Sequence, residues 1–297
     1  MSHTSVLLHE SIAALKPSAG MTILDATFGA GGHSHAIAEV IGRSGQLIAF
    51  DADRTVFTPE KIQELERLTK FTPIVENFRH IDESFKRLGN ISLDGALFDL
   101  GLSSTQLERS GRGFSFQRDE PLQMTFAHDA HEGSVTAATV LNEWSEETLR
   151  TILEGFAEER FARSIAKGIT EARKVRPFTR TGQLVEVIHN HTPNRYHHGR
   201  THFATRTFQA IRMAVNDELG SIEHGISGAL LHMKTGGRIA VISFHSIEDR
   251  AVKQLFQKFI EEGRVERISK KPLIATEEER MTNPRARSAK LRIIEKK

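Results

Sequence analysis

The first hundred residues alternate between two hydrophobic periods, and that alternation limits the fold more than any other feature. Short apolar runs at "MTILDAT" (21–27), "GQLIAFDAD" (45–53), "FTPIVEN" (71–77) and "LDGALFDL" (93–100) read as parallel strands buried on both faces. Helical patterns separate them at 33–42, 58–69 and about 79–88. Thr58-Pro59-Glu60 is a helix start, with Thr as N-cap and Pro at the first helical position. Strand and helix in alternation build a parallel sheet with right-handed crossovers.

The alternation stops after the fourth strand. Residues 106–209 hold helical stretches (145–156, 158–174, 181–190) and no strand of that kind. It resumes with a helix over 207–233 and a strand at "GGRIAVISF" (236–244). A helix at 247–262 and the runs "RVERISK" (264–270) and "KLRIIEK" (290–296) follow. The last strand comes after a long connection without a helical pattern, so it is expected to pair antiparallel at its end of the sheet. The expected architecture is one α/β domain of seven strands, the last antiparallel, formed by 1–105 and 210–297. A helical insert domain over 106–209 follows the fourth strand.

Composition narrows the class. At 38% apolar and 26% charged residues the chain fits a soluble globular protein. With no Cys, disulfides and Cys-ligated metals are excluded. No apolar run approaches the roughly 20 residues that span a membrane, and "MSHTSVLLHE" lacks the basic and apolar regions of a signal peptide. A cytoplasmic protein is expected. The net charge of +2 hides a local asymmetry. From Arg160 to Arg212 there are eleven Arg or Lys against two acids, Glu171 and Glu186, with His189, His191, His197, His198 and His202 in the same stretch. Such a stretch suits a polyanion, or is one of two oppositely charged, solvated helices. The histidines lack regular ligand spacing, so no metal is expected.

Between the first strand and the next helix lies "DATFGAGGHS" (25–34). In a doubly wound sheet ligands bind at the carboxyl ends of strands, and glycines there allow sharp turns and close approach. Asp51 ends the second strand, where a carboxylate can accept both hydroxyls of an adenosine ribose. A nicotinamide dinucleotide and S-adenosylmethionine both fit so far. The run Gly29-Ala30-Gly31-Gly32-His33-Ser34 lacks the final Gly or Ala of G-x-G-x-x-G. Asp25 also stands beside the loop, where it would repel a pyrophosphate and attract a sulfonium and an α-amino group. The charge pattern favours S-adenosylmethionine. Asp99 ends the fourth strand, Phe78 follows the third, and Ser243, His245 and Ser246 stand at the end of the fifth.

The segments "TSVLLHE", "DATFGAGGHS", "FDLGLSSTQL", "RGFSF", "EERFARSIA", "ATRTFQAIRMAVNDEL", "GGRIAVISFHSIEDR" and "NPRARSAKLR" closely resemble the bacterial 16S ribosomal RNA cytosine-N4 methyltransferases of the small-subunit methyltransferase H type. The resemblance runs from about Thr4 to the C-terminus. It implies a Rossmann-like methyltransferase sheet and N4-methylation of a cytidine in the decoding region of 16S ribosomal RNA, within the small ribosomal subunit. It also implies S-adenosylmethionine contacts at Gly31, Gly32, His33, Asp51, Phe78, Asp99 and Gln106. Two departures stand out: "PLQMTF" (121–126) has Gln123 and Thr125 where the family usually has Asp and Arg, and His202-Phe203 replaces His-Pro.

The exocyclic N4 of cytosine is a poor nucleophile because its lone pair is delocalised into the ring. An acceptor for its N–H groups assists the reaction. The candidates after the fourth strand are Asp99, Ser103 and Ser104; backbone carbonyls of that loop would serve equally well. Arg176, Arg180, Arg200 and Arg206, in "KVRPFTRTG" (174–182) and "NRYHHGRTHFATRTF" (194–208), are the expected RNA contacts. Competing readings are a methyltransferase acting on DNA or a small molecule, and a non-catalytic RNA-binding factor.

Overall fold

The structure is a computed structural model that describes residues 5–102, 107, 110–128 and 134–297. The chain divides into two compact units, Met1–Gly101 with Leu219–Lys297, and Leu102–Glu218.

The first unit begins with helix α1 (Leu8–Leu15) and continues β1 (Thr22–Asp25), α2 (Gly32–Ile41), β2 (Gln46–Asp51), α3 (Pro59–Leu68), β3 (Lys70–Val75), α4 (Ile81–Arg87) and β4 (Leu93–Asp99). Helix α1 has no counterpart in the sequence reading. Helix α3 starts as expected: Pro59 is its first residue, and the Thr58 side chain accepts from the Lys61 N–H.

After α4 and β4, the second unit holds helices α5 (Ala137–Glu143), α6 (Glu146–Ala157), α7 (Ala162–Val175), α8 (Thr181–Asn190), α9 (Asn194–His197) and α10 (Thr205–Asn216). Next come α11 (Glu218–His232), β5 (Met233–Ser243), α12 (Ser246–Glu261), β6 (Val265–Arg267), β7 (Leu273–Ile274), α13 (Glu277–Thr282) and β8 (Lys290–Lys296).

The sheet has eight strands rather than seven, in the order β3-β2-β1-β4-β5-β8-β6, with the two-residue β7 on β8. Strands β1 to β5 are parallel, and β8 inserts antiparallel between β5 and β6. The antiparallel last strand is as expected. The extra strand β7 is too short to leave a periodic signature.

Period-two alternation sorts the strand residues onto two faces. Leu24, Ile48, Phe50, Ala96, Phe98 and Val241 join one core, against α4, α11 and α12. Ile23, Leu47, Ala49, Leu97, Ala240 and Ile242 join the other, against α1, α2 and α3. Pro73 lies in β3, an edge strand, where its missing N–H leaves no gap in a ladder.

The expected single helix over 207–233 is two helices. It breaks at Asp217, whose φ of +42° is left-handed, a conformation Asp tolerates better than most residues. The boundary between units falls one residue later, at Glu218/Leu219 rather than 209/210. The four-stranded start of the chain likewise ends at Gly101 rather than 105.

The second unit has its own core, built on Leu141, Leu153, Ile165, Ile169, Leu184, Ile188, Phe208 and Ile211. Among the described residues no helix is long and apolar enough to cross a membrane.

Candidate functional site

Three neighbouring strands, β2, β1 and β4, each end on an aspartate: Asp51, Asp25 and Asp99. They stand at the carboxyl edge of the sheet, where the strand order reverses and ligands bind in folds of this kind.

Asp25 is fully buried. Its Oδ2 accepts from Ser34 Oγ at 2.6 Å and its Oδ1 from the Thr27 N–H at 3.1 Å. One carboxylate therefore closes the glycine loop across its two ends. Burial raises its pKa, and the bonds from Ser34 and Thr27 oppose that rise. This corrects the expectation that Asp25 faces a cationic ligand, since the side chain is fully buried and bonded to the loop. Its charge still acts on the other two acids.

Asp51 accepts from the Gly29 N–H at 2.8 Å and the Asp53 N–H at 2.9 Å, one on each oxygen. Each oxygen keeps a lone pair for a further donor. Burial pushes its pKa up to about 6, with Asp53 and Asp25 adding to the rise against the two hydrogen bonds.

The glycines answer first to the chain itself. Gly31 has φ +90°, and a Cβ there would come within 3.1 Å of the Phe28 ring. A Cβ on Gly32 would collide with the Ser5 side chain. Phe28 is buried, stacks on Phe57 at 4.5 Å and donates its N–H to the Phe50 carbonyl at 2.8 Å. The loop thus wraps a phenylalanine anchored to β2 and exposes its outer backbone.

His33 Nε2 lies 3.1 Å from the Val6 carbonyl, so that nitrogen carries the hydrogen. Its Nδ1 faces Asp99 Oδ2 at 3.6 Å, longer than a hydrogen bond. The Asp99 N–H donates to Thr27 Oγ1 at 2.7 Å and ties the ends of β4 and β1 together. Burial pushes the Asp99 carboxyl up to about 8, with Asp25 and Glu248 adding. The side chain is a quarter exposed, but its Oδ1 atom is buried and has no hydrogen-bond partner among the described residues. A buried acceptor left unmade costs on the order of 1–3 kcal/mol, so the position suits a ligand that supplies a donor.

Phe78 is half-buried and meets Phe98 edge-on at 5.6 Å. Ser243 is buried at the end of β5. His245 caps α12: its Nδ1 accepts from the Glu248 N–H, and Glu248 Oε2 accepts from the Phe244 N–H at 2.9 Å. Ser246 is the first residue of that helix. Ser103, Ser104 and Gln106 lie outside the described residues.

Ser5, Val6, Thr27 and Lys61 also shape the loop, and sequence reasoning does not reach them. Lys61 Nζ donates to the Val56 carbonyl at 3.1 Å and lies 5.5 Å from the Phe28 ring centre. No local pattern marks these residues, because their partners come from other elements.

In the second unit the four expected RNA-contact arginines separate into two pairs. Arg176 and Arg200 are exposed and make no ion pair among the described residues. Arg180 instead donates its Nε to Asp119 Oδ2 at 2.5 Å and a terminal nitrogen to the Asp119 carbonyl, pinning the start of α8. Arg206 donates to the Glu158 carbonyl at 2.8 Å. Thr125 is buried and donates to the Ala127 carbonyl at 3.1 Å, while Gln123 is exposed.

Residues 1–297 match the sequence model described as the MraW methylase family. The chain belongs to the MraW methylase family. Several curated relatives are similar over their whole length. One from Trichlorobacter lovleyi, named Ribosomal RNA small subunit methyltransferase H, is 42% identical over 313 residues, covering 99% of this chain and 98% of the relative. Proteins of the same name from Paenibacillus sp. (strain JDR-2) and Brevibacillus brevis are 38% and 39% identical, with 99% of this chain and 99% and 98% of the relatives covered. Within a methylase family, the strand-end row of acids and the glycine loop are the candidate methyl-donor site.

Proposed function

We propose that this MraW-family methylase transfers a methyl group from S-adenosylmethionine to N4 of a cytidine in the decoding region of 16S ribosomal RNA. The substrate is the RNA within the small ribosomal subunit, and the reaction takes place in the cytoplasm. The observation that carries the reading is the end-to-end likeness to relatives named as small-subunit ribosomal RNA methyltransferases.

The residues present fit the cofactor. Asp51 has two fixed oxygens, each with a spare lone pair, where ribose hydroxyls need acceptors. Gly31 and Gly32 keep the loop free of side chains, and Phe78 offers a ring face to adenine. The acids at the strand ends suit a cation and would repel a pyrophosphate. Gln106 completes the set that the family resemblance implies. When bound, S-adenosylmethionine supplies an electrophilic methyl group on a sulfonium.

The chain's own part is to hold N4 and manage its proton. Asp99 accepts an N4–H, which favours the pyramidal nitrogen whose lone pair is available, and then takes the proton N4 loses. Its carboxyl is pushed up to about 8 in this site, so the acceptor is its ionised form, a stronger base than an ordinary Asp, and the rate should climb as pH rises toward 8. His33, held on Val6, keeps the other side of the Asp99 carboxyl occupied by a ring. Ser103 and Ser104 are further acceptors in the same loop. Arg176 and Arg200 contact phosphates, which position the RNA without reading its sequence.

Methyl transfer to small ribosomal subunits, naked 16S RNA and DNA tests the reading. Mass-spectrometric mapping of methylated cytidine in RNA from cells lacking the protein completes the test. The expected result is transfer to the subunit at one cytidine that is unmethylated in the deleted cells. Transfer to DNA alone, or full cytidine methylation in the deleted cells, overturns it.

A further inference from the structure

The second unit carries a column of stacked rings that the methyl-transfer site does not use. It starts in the core at Phe208, which meets Phe116 edge-on at 5.6 Å. Phe116 lies parallel to His202 at 4.3 Å with 7° between the planes. His202 stacks on Phe203 at 4.3 Å and 27°. Phe203 leans on His197 at 4.9 Å, and His197 stacks on His189 at 4.2 Å and 22°. The last ring, His189, belongs to an exposed residue at the end of α8. The column starts in the core and comes to the surface, where His202 along it and His189 at its end both belong to exposed residues.

Hydrogen bonds fix the planes of the His202 and His197 imidazoles. His202 Nδ1 accepts from the Ala204 N–H at 3.2 Å, which requires a free lone pair there, and burial holds its pKa below the usual histidine range. His197 Nε2 lies 2.8 Å from Thr192 Oγ1, which fixes the ring plane. Burial, then the neighbouring His189 and His198, push its pKa down as well. Rings whose planes are fixed in this way present a flat surface that has already lost its conformational freedom.

The exposed cations Arg195 and Arg200 sit in the same short stretch as His197 and His202. Fixed flat rings beside exposed guanidiniums are the combination that binds single-stranded nucleic acid: bases stack on the rings and phosphates meet the cations. A duplex hides its base faces and would not use such a ring end.

We propose that the column from Phe116 to His189 is a stacking platform for a base of single-stranded RNA, with His189 as the ring that the base covers. This rests on the reading of the chain as an RNA methyltransferase and adds how its second unit holds unpaired RNA.

The test is binding of a fluorescently labelled ten-nucleotide oligocytidylate RNA, followed by anisotropy across a salt series. A same-length abasic RNA is the second ligand. His189→Ala is expected to weaken oligocytidylate binding at least about five-fold, the loss typical of one base-ring stack. The salt slope should stay nearly unchanged, because the substitution removes a stacked ring face and not a phosphate contact. His189→Phe should restore the affinity, and abasic RNA should bind wild type and His189→Ala equally. His189 is exposed, so the variants fold; thermal unfolding verifies it. Unchanged affinity in His189→Ala overturns the platform. So does an equal loss on abasic RNA, or a His189→Phe variant as weak as the alanine. If Arg176→Ala with Arg200→Ala still lowers the salt slope, the platform alone has failed. If wild type binds neither RNA at any salt, the underlying RNA reading fails with it.

Discussion

The two units treat charge in opposite ways. In the α/β unit the acids of interest are few, buried or half-buried, and they act on one another across the strand ends. Asp25, Asp51 and Asp99 end adjacent strands, and the charge of Asp25 raises the pKa of both others. In the second unit the basic residues are many and mostly exposed, and their shared position in the sequence does not give them a shared role. Two of the four arginines singled out hold the fold together, and two do not. A charge at a strand end inherits its location from the sheet, whereas a charge on a helical surface has its job set by whichever partner lies within reach.

The largest effect expected on that contrast is at Gly31. Gly31→Val places a branched side chain at φ +90° against the Phe28 ring. S-adenosylmethionine binding should be lost in calorimetry, with a destabilisation of about 1–3 kcal/mol from backbone strain. Normal binding would show that the loop tolerates a side chain and does not cradle the cofactor.

Next is Asp51. Asp51→Ala removes a charged acceptor, worth about 1.5–3 kcal/mol of cofactor affinity, or roughly ten- to a hundred-fold. Wild-type affinity should also fall as pH drops through about 6, where the carboxylate takes a proton, and Asp51→Asn should lack that dependence. Unchanged affinity in a folded Asp51→Ala protein removes this residue from the site.

Asp99 provides a pH-dependent effect on stability rather than on binding. Its folded pKa of about 8 lies above the ordinary 3.8, so between those values the folded protein binds more protons than the unfolded chain. Its contribution to stability is therefore full at acid pH and declines as pH rises from about 4 to about 8. Asp99→Asn, which cannot ionise, should gain stability relative to wild type over that window in urea titrations. A constant difference between the two proteins would show that the Asp99 carboxyl is not raised in the folded protein.

The smallest effects separate the two classes of arginine. Arg176→Ala with Arg200→Ala should lower the slope of log affinity against log salt for single-stranded RNA by about 1.4, at about 0.7 per phosphate lost. Arg180→Ala with Arg206→Ala should leave that slope nearly unchanged and instead lower the melting temperature slightly, since each loses a fold contact. Equal slopes for the two double variants would erase the distinction drawn from the hydrogen bonds.

What a single sequence carries here is what depends on near neighbours. The short continuous apolar runs name the parallel strands, because burial on both faces removes the polar alternation of a half-exposed strand. The aspartates that close "TILD", "LIAFD" and "ALFD" can be placed at one sheet edge before any coordinates, since parallel strands start and stop together. The helix start at Thr58-Pro59 is equally local. Where the local pattern is too short or too uniform, the reading fails. Helix α1 was not separable from its surroundings, and the apolar period continues through Asp217 although the backbone turns left-handed there.

Tertiary structure alone decided how each functional group spends its bonding capacity. Asp25 looks like a ligand-facing acid in sequence, yet the fold buries it completely and sets Ser34 and Thr27 on its oxygens. Arg180 looks like a phosphate contact until Asp119, 61 residues away, comes within reach of its guanidinium. Phe116 and His202 become stacked rings only because the fold brings them together. The physical reason is the same in each case: a hydrogen bond or a stack is a short-range bargain between two groups, and a chain that returns on itself chooses the second group from anywhere along its length.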